Sequence, residues 1–216
     1  MKNIRGVLFD LDGVLVTTDE LHYLAWQSVA TQEGIYFDRQ INHRLRGISR
    51  MDSLDIVLER AKRTYSPQEK EKLATQKNDF YRNLLGKLSP EALLPGAAET
   101  LRALRARGVK SAIGSVSKNT PLILERTGLT NLVDAVVDGN SITKSKPDPE
   151  VFLKGAEKLG LQPAECLVVE DALAGIEAAR RAEMSYFGIG TAATLPGVER
   201  FAQNLAAISV DELLKA

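Results

Sequence analysis

The 216-residue chain carries 28 Lys and Arg against 28 Asp and Glu, so its formal net charge is zero and neither nucleic acid nor an acidic membrane is expected as its main partner. Its single cysteine, Cys166, excludes an intrachain disulfide, and no apolar run is long enough to span a membrane as a helix. The short charged N-terminus is unlike a signal peptide, a cytoplasmic location is expected, and the length suffices for one large domain or two modest ones.

The first element is the run Val7-Leu8-Phe9, which stops abruptly at Asp10-Leu11-Asp12-Gly13. A continuous apolar run that ends in acid and glycine reads as a buried parallel strand. Ligands in open α/β sheets bind outside the carboxyl ends of the strands, so both acids stand where chemistry is expected. Side chains alternate along an extended chain, which sends Asp10 and Asp12 to the same side. Two such charges about 4 Å apart repel by roughly 4 kcal/mol at an effective dielectric near 20, so the pair calls for a cation or a shared proton. Magnesium, with its preference for carboxylate and phosphate oxygens, is the economical choice.

Residues 17–88 read as helices without a convincing strand. Thr17 and Glu20 have capping-box spacing, followed by a helical stripe of Leu21, Leu24, Ala25, Ser28 and Val29. His22 and Trp26 form a separate flank of that helix, placed beside the Asp10 site, whereas His43 reads as surface. Ser49 caps a second helix with the stripe Leu54, Val57, Leu58 and Ala61. Arg50 then falls in its first turn, where a cation opposes the helix dipole unless an anion joins it, and Ser49, Arg50 and the free amides together form a candidate phosphate receptor. Ser66-Pro67-Gln68-Glu69 opens a long helix with the stripe Leu73, Lys77, Phe80 and Leu84. Lys77 is a charge in an apolar row, which means snorkelling, a buried pair, or a face that closes over an anionic ligand; the last is favoured.

From Gly96 helices and apolar runs alternate: helix 97–107, strand 109–114, helix 120–127, strand 133–137, helix 149–159, strand 166–169, helix 172–182 and strand 185–189. This is the pattern of a doubly wound parallel sheet, a Rossmann-like α/β core, so the expected division is a core of 1–16 and 89–216 with an inserted α-helical cap at 17–88. Polar residues sit at the strand ends. Ser115, Ser117, Lys118 and Asn119 form a hydroxyl and amide cluster in which Ser115 could ligate a phosphate oxygen. Lys146, held extended by Pro147, is a fixed cation, and Glu170-Asp171 adds two more acids at the end of a buried strand. Four carboxylates against one lysine again imply a metal. Cys166 enters that strand and reads as a buried structural thiol.

Taken together, Asp10-Leu11-Asp12-Gly13, Ser115, Lys146-Pro147 and Glu170-Asp171 resemble the four motifs of the haloacid dehalogenase superfamily, in order and across the whole chain. The strings Glu20-Leu21-His22, Ala25-Trp26, Gly47-Ile48-Ser49-Arg50, Asp52-Ser53-Leu54, Lys77-Asn78-Asp79 and Ser115 to Asn119 resemble most its β-phosphoglucomutase subgroup. That resemblance implies a nucleophile at Asp10 that becomes an aspartyl phosphate, and a general acid and base at Asp12. It implies magnesium held by Asp10, the backbone carbonyl of Asp12 and Asp171, with Glu170 beside it, and a transferring phosphoryl group held by Ser115 and Lys146. Arg50, Ser117, Lys118 and Asn119 would grip a second phosphate, with Gly47, Ser53 and Lys77 around the sugar and cap closure. Thr17, where these enzymes often have aspartate, and Val116, where a smaller residue is common, depart from the pattern.

The implied activity is interconversion of β-glucose 1-phosphate and glucose 6-phosphate with glucose 1,6-bisphosphate as primer, by a monomer whose partner is a small sugar phosphate. A sugar-phosphate phosphatase on the same core is the alternative.

Overall fold

The computed structural model of the chain describes residues 3–215; residues 1, 2 and 216, assigned to the core above, lie outside that range. Strand β1 (Gly6–Phe9) is followed by helices α1 (Asp19–Gln32), α2 (Arg39–His43), α3 (Arg50–Leu58) and α4 (Pro67–Leu85). Then come α5 (Ala97–Ala106), β2 (Lys110–Gly114), α6 (Thr120–Thr127), β3 (Ala135–Val137), α7 (Glu150–Leu159) and β4 (Cys166–Glu170). The chain continues through α8 (Leu173–Arg181), β5 (Ser185–Ile189), β6 (Phe201–Ala202) and α9 (Val210–Leu213).

The strands form one parallel sheet in the order β3-β2-β1-β4-β5-β6, with β1 in its interior. Alternation along β1 explains why both faces are covered. Val7 and Phe9, with Ile113, Leu167 and Val169, pack against Leu101 and Leu104 of α5 and Ile123 and Leu124 of α6. Leu8, with Ala112, Cys166 and Val168, packs the other way, against Phe152 and Ala156 of α7 and Ala178 and Ala179 of α8. Each of Val7, Leu8 and Phe9 is fully buried, worth about 1.5–3 kcal/mol apiece, and this anchors the strand that carries Asp10 at its end. The eight strands and helices expected between Gly96 and Gly190 fall within two residues of their expected ranges, and Cys166 is buried as expected.

A third apolar cluster lies wholly within the helical insertion: Trp26, Val29 and Ala30 of α1, Phe37, Ile41, Leu54 and Val57, and Leu73 and Ala74 of α4. Further along the same two helices, Ala25, Tyr81 and Leu85 belong to the sheet cluster instead. Helices α1 and α4 therefore serve two cores. This double duty widens the stripes expected from sequence: Ala25, Val29, Leu73 and Lys77 are buried as expected, Trp26, Ala30, Tyr81 and Leu85 are buried as well, and Leu24 and Phe80 are 37% and 42% exposed. Ala61 lies beyond the end of α3 at Leu58.

The capping box expected of Thr17 and Glu20 does not form. Thr18 takes the N-cap position without a side-chain cap, its hydroxyl being committed to Asp12, and Glu20 pairs with Arg39 at 2.6 Å. The cap at Ser49 and the box at Ser66 both form: Ser49 accepts from the Asp52 amide, and Ser66 and Glu69 cap each other. Strand β6 and helix α9 were not expected, being too short to show a period. No helix among the described residues is long and apolar enough to cross a membrane.

Candidate active site

The register of the sheet sets three residues side by side at one edge. Phe9 pairs with Ile113 and Val169, so Asp10 stands level with Gly114 and with Glu170 at the end of β4, and Ser115 follows one residue past β2. The Asp10 amide donates to the Val169 carbonyl at 3.0 Å, which fixes where its side chain starts. Lys146 reaches this edge from the loop before α7, 1% exposed, and its Nζ donates to Asp10 Oδ1 and, at 2.7 Å, to Glu170 Oε1. Burial alone would depress the Lys146 ammonium, but the facing charges of Asp10 and Glu170 outweigh it and raise its pKa. Burial, reinforced by Glu170 and Asp12 and opposed by Lys146, pushes Asp10 up to about 7.

Glu170 is sealed from solvent and turns the chain: its Oε2 accepts the amides of Asp171 and Ala172, both at 2.8 Å. A side chain at Gly175 would put its Cβ 1.7 Å from Glu170 Oε1, so α8 approaches that closely only because position 175 is glycine. At Gly13 the backbone has φ +93° and an added Cβ would lie 2.3 Å from Asp171 Oδ2, so both conformation and space demand glycine there.

Asp12 is held by the chain that leaves for the helical insertion. Its Oδ1 accepts the Thr18 amide at 2.7 Å and its Oδ2 the Thr18 hydroxyl at 2.6 Å, and Tyr81 donates to that hydroxyl at 3.0 Å. Burial raises the Asp12 pKa and the two Thr18 bonds oppose the rise. His22 Nε2 lies 3.9 Å from Asp12 Oδ2, and Lys77 Nζ lies 2.8 Å from His22 Nδ1. When Lys77 is protonated it only donates, so Nδ1 then accepts and a neutral imidazole carries its proton on Nε2, toward Asp12. Burial first, then Lys77 and Arg50, hold His22 well below the usual histidine pKa, and burial with the charge of Arg50 lowers Lys77 to about 7.

Asp171 is nearly buried and lies 3.5 Å from Arg46, which also pairs with Asp19 at 2.7 Å. Burial and the charges of Glu170 and Asp10 raise Asp171 well above the carboxylate range. The donor set suits magnesium: hard carboxylate oxygens in excess of the cations beside them, with Asp10 and Asp171 both destabilised as anions. Among the described residues no three acid, histidine or cysteine side chains already converge as a cage, so Asp10 and Asp171 would be the side-chain donors and main-chain and ligand oxygens would complete the shell.

On the opposite wall, Ser49 caps α3 and places Arg50 in its first turn. Arg50 makes no hydrogen bond or ion pair among the described residues, and burial lowers its pKa. Ser53, 4% exposed, donates back to the Ser49 carbonyl at 2.8 Å, leaving its lone pairs available. After β2, the Ser117 amide donates to Ser115 Oγ at 3.1 Å and the Asn119 amide to Ser117 Oγ at 3.2 Å, winding the loop that starts α6.

One cavity of about 570 Å³ gathers these residues: Asp10, Asp12, His22, Gly47, Arg50, Ser53, Lys77, Ser115, Ser117, Lys118, Asn119, Glu170 and Asp171 all line it. Lys146 stands behind Asp10 and Glu170. His43 is exposed and does not line it. Thr17 and Val116, the two departures, both line the cavity. Sequence reading missed Thr18, Asp19, Arg46 and Arg82; only Arg46 carried a local signal, as a cation next to Gly47 in the loop before α3.

A family model of haloacid dehalogenase-like hydrolases matches residues 4–183. The chain is 40% identical over 212 residues to a β-phosphoglucomutase of Bacillus subtilis, covering 97% of this chain and 94% of the relative. It is 31% identical over 183 residues to a fructose-1-phosphate phosphatase of Escherichia coli, covering 85% of this chain and 95% of that one. A crystal structure of a β-phosphoglucomutase from Clostridium difficile superposes with a TM-score of 0.92 at 34% identity, covering 98% and 97% of the two chains.

Proposed function

The chain belongs to the haloacid dehalogenase-like hydrolase family, and from that premise we propose that it is a β-phosphoglucomutase, interconverting β-glucose 1-phosphate and glucose 6-phosphate. One observation carries the reading: a single cavity joins the Asp10 carboxylate, backed by the buried Lys146, to Arg50 on the helical wall, a cation with no hydrogen bond or ion pair among the described residues. A phosphatase needs only the first. A mutase that passes through a bisphosphate needs both, because the intermediate presents each phosphate to Asp10 in turn.

Asp10 attacks phosphorus, the bond to the leaving sugar oxygen breaks, and Asp10 carries the phosphoryl group until a sugar hydroxyl takes it. Lys146, fixed by Glu170, balances charge on Asp10, and Ser115 lies where its hydroxyl can donate to a phosphoryl oxygen. Asp12 moves the proton of the sugar hydroxyl, once released from Thr18. Magnesium bound by Asp10, Asp171 and the Asp12 carbonyl would neutralise charge on the transferring group. Arg50, Ser117, Lys118 and Asn119 grip the other phosphate, and residues 17–88 act as a lid whose closure over the cavity excludes water.

Product analysis tests this. β-Glucose 1-phosphate with a trace of glucose 1,6-bisphosphate and magnesium should give glucose 6-phosphate much faster than inorganic phosphate, and predominant release of phosphate would make the enzyme a sugar-phosphate phosphatase.

A further inference from the structure

We propose that Arg82 is a positioning residue that fixes which face of the Asn119 amide is offered to the distal phosphate; the inference rests on Asn119 belonging to that phosphate site. Arg82 and Asn78 stand one turn apart on α4, and both reach across to Asn119 on the core. Arg82 Nη1 donates to Asn119 Oδ1 at 3.2 Å, and Asn119 Nδ2 donates to Asn78 Oδ1 at 2.9 Å. Asn119 is 5% exposed and lines the cavity, whereas Arg82 is exposed and does not.

The chemistry of the two groups gives this contact its meaning. A primary amide has one acceptor and two N–H donors, and a guanidinium has donors only. Arg82 therefore holds the amide with its oxygen toward the guanidinium and its nitrogen toward Asn78, because the flipped amide would set N–H against N–H at Arg82 and oxygen against oxygen at Asn78. With one N–H used by Asn78, the other is left for an acceptor such as a phosphate oxygen. Without Arg82 the amide can turn and present its carbonyl to the phosphate, a repulsive contact in place of an attractive one. The clamp also couples the two parts of the molecule, since its donor Arg82 and its acceptor Asn78 both ride on α4, the helix that packs in both cores.

The test is a set of kinetic measurements on Arg82→Met and Arg82→Lys, each in the wild-type and Asn119→Ala backgrounds. The readouts are the KM for glucose 1,6-bisphosphate, whatever product forms, and turnover of para-nitrophenyl phosphate, which engages the core site alone. Arg82→Met should raise the bisphosphate KM about tenfold and leave para-nitrophenyl phosphate turnover within about twofold. Arg82→Lys, which keeps a donor, should recover most of the affinity. In the Asn119→Ala background Arg82→Met should add nothing further, because its only target is gone. An unchanged KM, equal losses on both substrates, or a full tenfold loss persisting without Asn119 would each overturn the proposal. Failure of the mutase reading is separate: it would show in wild-type products alone, while the bisphosphate KM would still report on Arg82.

Discussion

Asp12 and Thr18 are joined twice, through the amide at 2.7 Å and the hydroxyl at 2.6 Å, so both oxygens of the proposed acid and base are occupied by the segment that leads into the helical insertion. In this arrangement Asp12 is poorly placed to take a proton from water. On the proposed reading its release requires that segment to move, and with it the helical insertion that would close over the cavity. Thr18→Val keeps the amide bond and removes the hydroxyl one, along with the acceptor that Tyr81 uses. The variant should release inorganic phosphate several-fold faster relative to glucose 6-phosphate than the wild type does. An unaltered product ratio would show that the Thr18 hydroxyl does not restrain Asp12.

Asp10→Asn removes the nucleophile and keeps the shape. Magnesium-dependent turnover should fall by about three orders of magnitude or more. Lys146 keeps Glu170 at 2.7 Å, so the variant should stay folded, with a single cooperative melt near the wild-type Tm. Turnover within tenfold of wild type would remove Asp10 from the nucleophile's role.

Much of this site was legible because buried strands write themselves as apolar runs and end in the residues they deliver. Phe9 runs into Asp10, Val169 into Glu170, and the core follows from that alternation. Ser49 was legible for another local reason, since its hydroxyl caps the amide three residues on. Partners far apart in sequence left no such trace: Arg46 meets Asp171 across 125 positions and Arg82 meets Asn119 across 37. The faces of α1 and α4 were read in part: Ala25, Val29, Leu73 and Lys77 are buried as expected, but a single stripe was expected where the helices pack into two cores. Phe80 and Leu24, though apolar, fall outside both.

Arg50 opposes the dipole of α3 and makes no hydrogen bond or ion pair among the described residues, although Asp52 shares its turn and Glu71 and Asp79 lie near enough to favour its charge. Arg50→Ala should therefore leave the fold intact or slightly more stable, by up to about 1 kcal/mol. The same change should lower mutase kcat/KM by about 10- to 100-fold, the value of a lost charge-assisted bond to phosphate, and cost much less with a substrate that has one phosphate. Stability and turnover moving together would return Arg50 to a structural role.

Lys77 gives a pH test with a definite sign. Its side chain is 3% exposed, lies 2.8 Å from His22 Nδ1 and stacks over the Tyr81 and Trp26 rings at 4.4 and 5.0 Å from their centroids. Burial, helped by the charge of Arg50 and opposed by that of Asp12, lowers its pKa from 10.5 to about 7. Between those two values the unfolded chain binds a proton that the folded one does not, so folding stability rises with pH across this window. Below pH 7 Lys77 is charged in both states and the full cost of burying that charge is present; it is lost progressively as the pH climbs. Lys77→Met removes the titration. Melting curves from pH 6 to 9 should therefore show the variant several degrees more stable than wild type at pH 6, with the gap closing toward pH 9. An anionic substrate would offset the buried charge in the wild type alone, so glucose 1,6-bisphosphate should narrow the difference at pH 6 and bind more weakly to the variant. Curves that stay parallel across the range would mean that Lys77 titrates as an ordinary lysine and does not hold a charge in waiting for an anion.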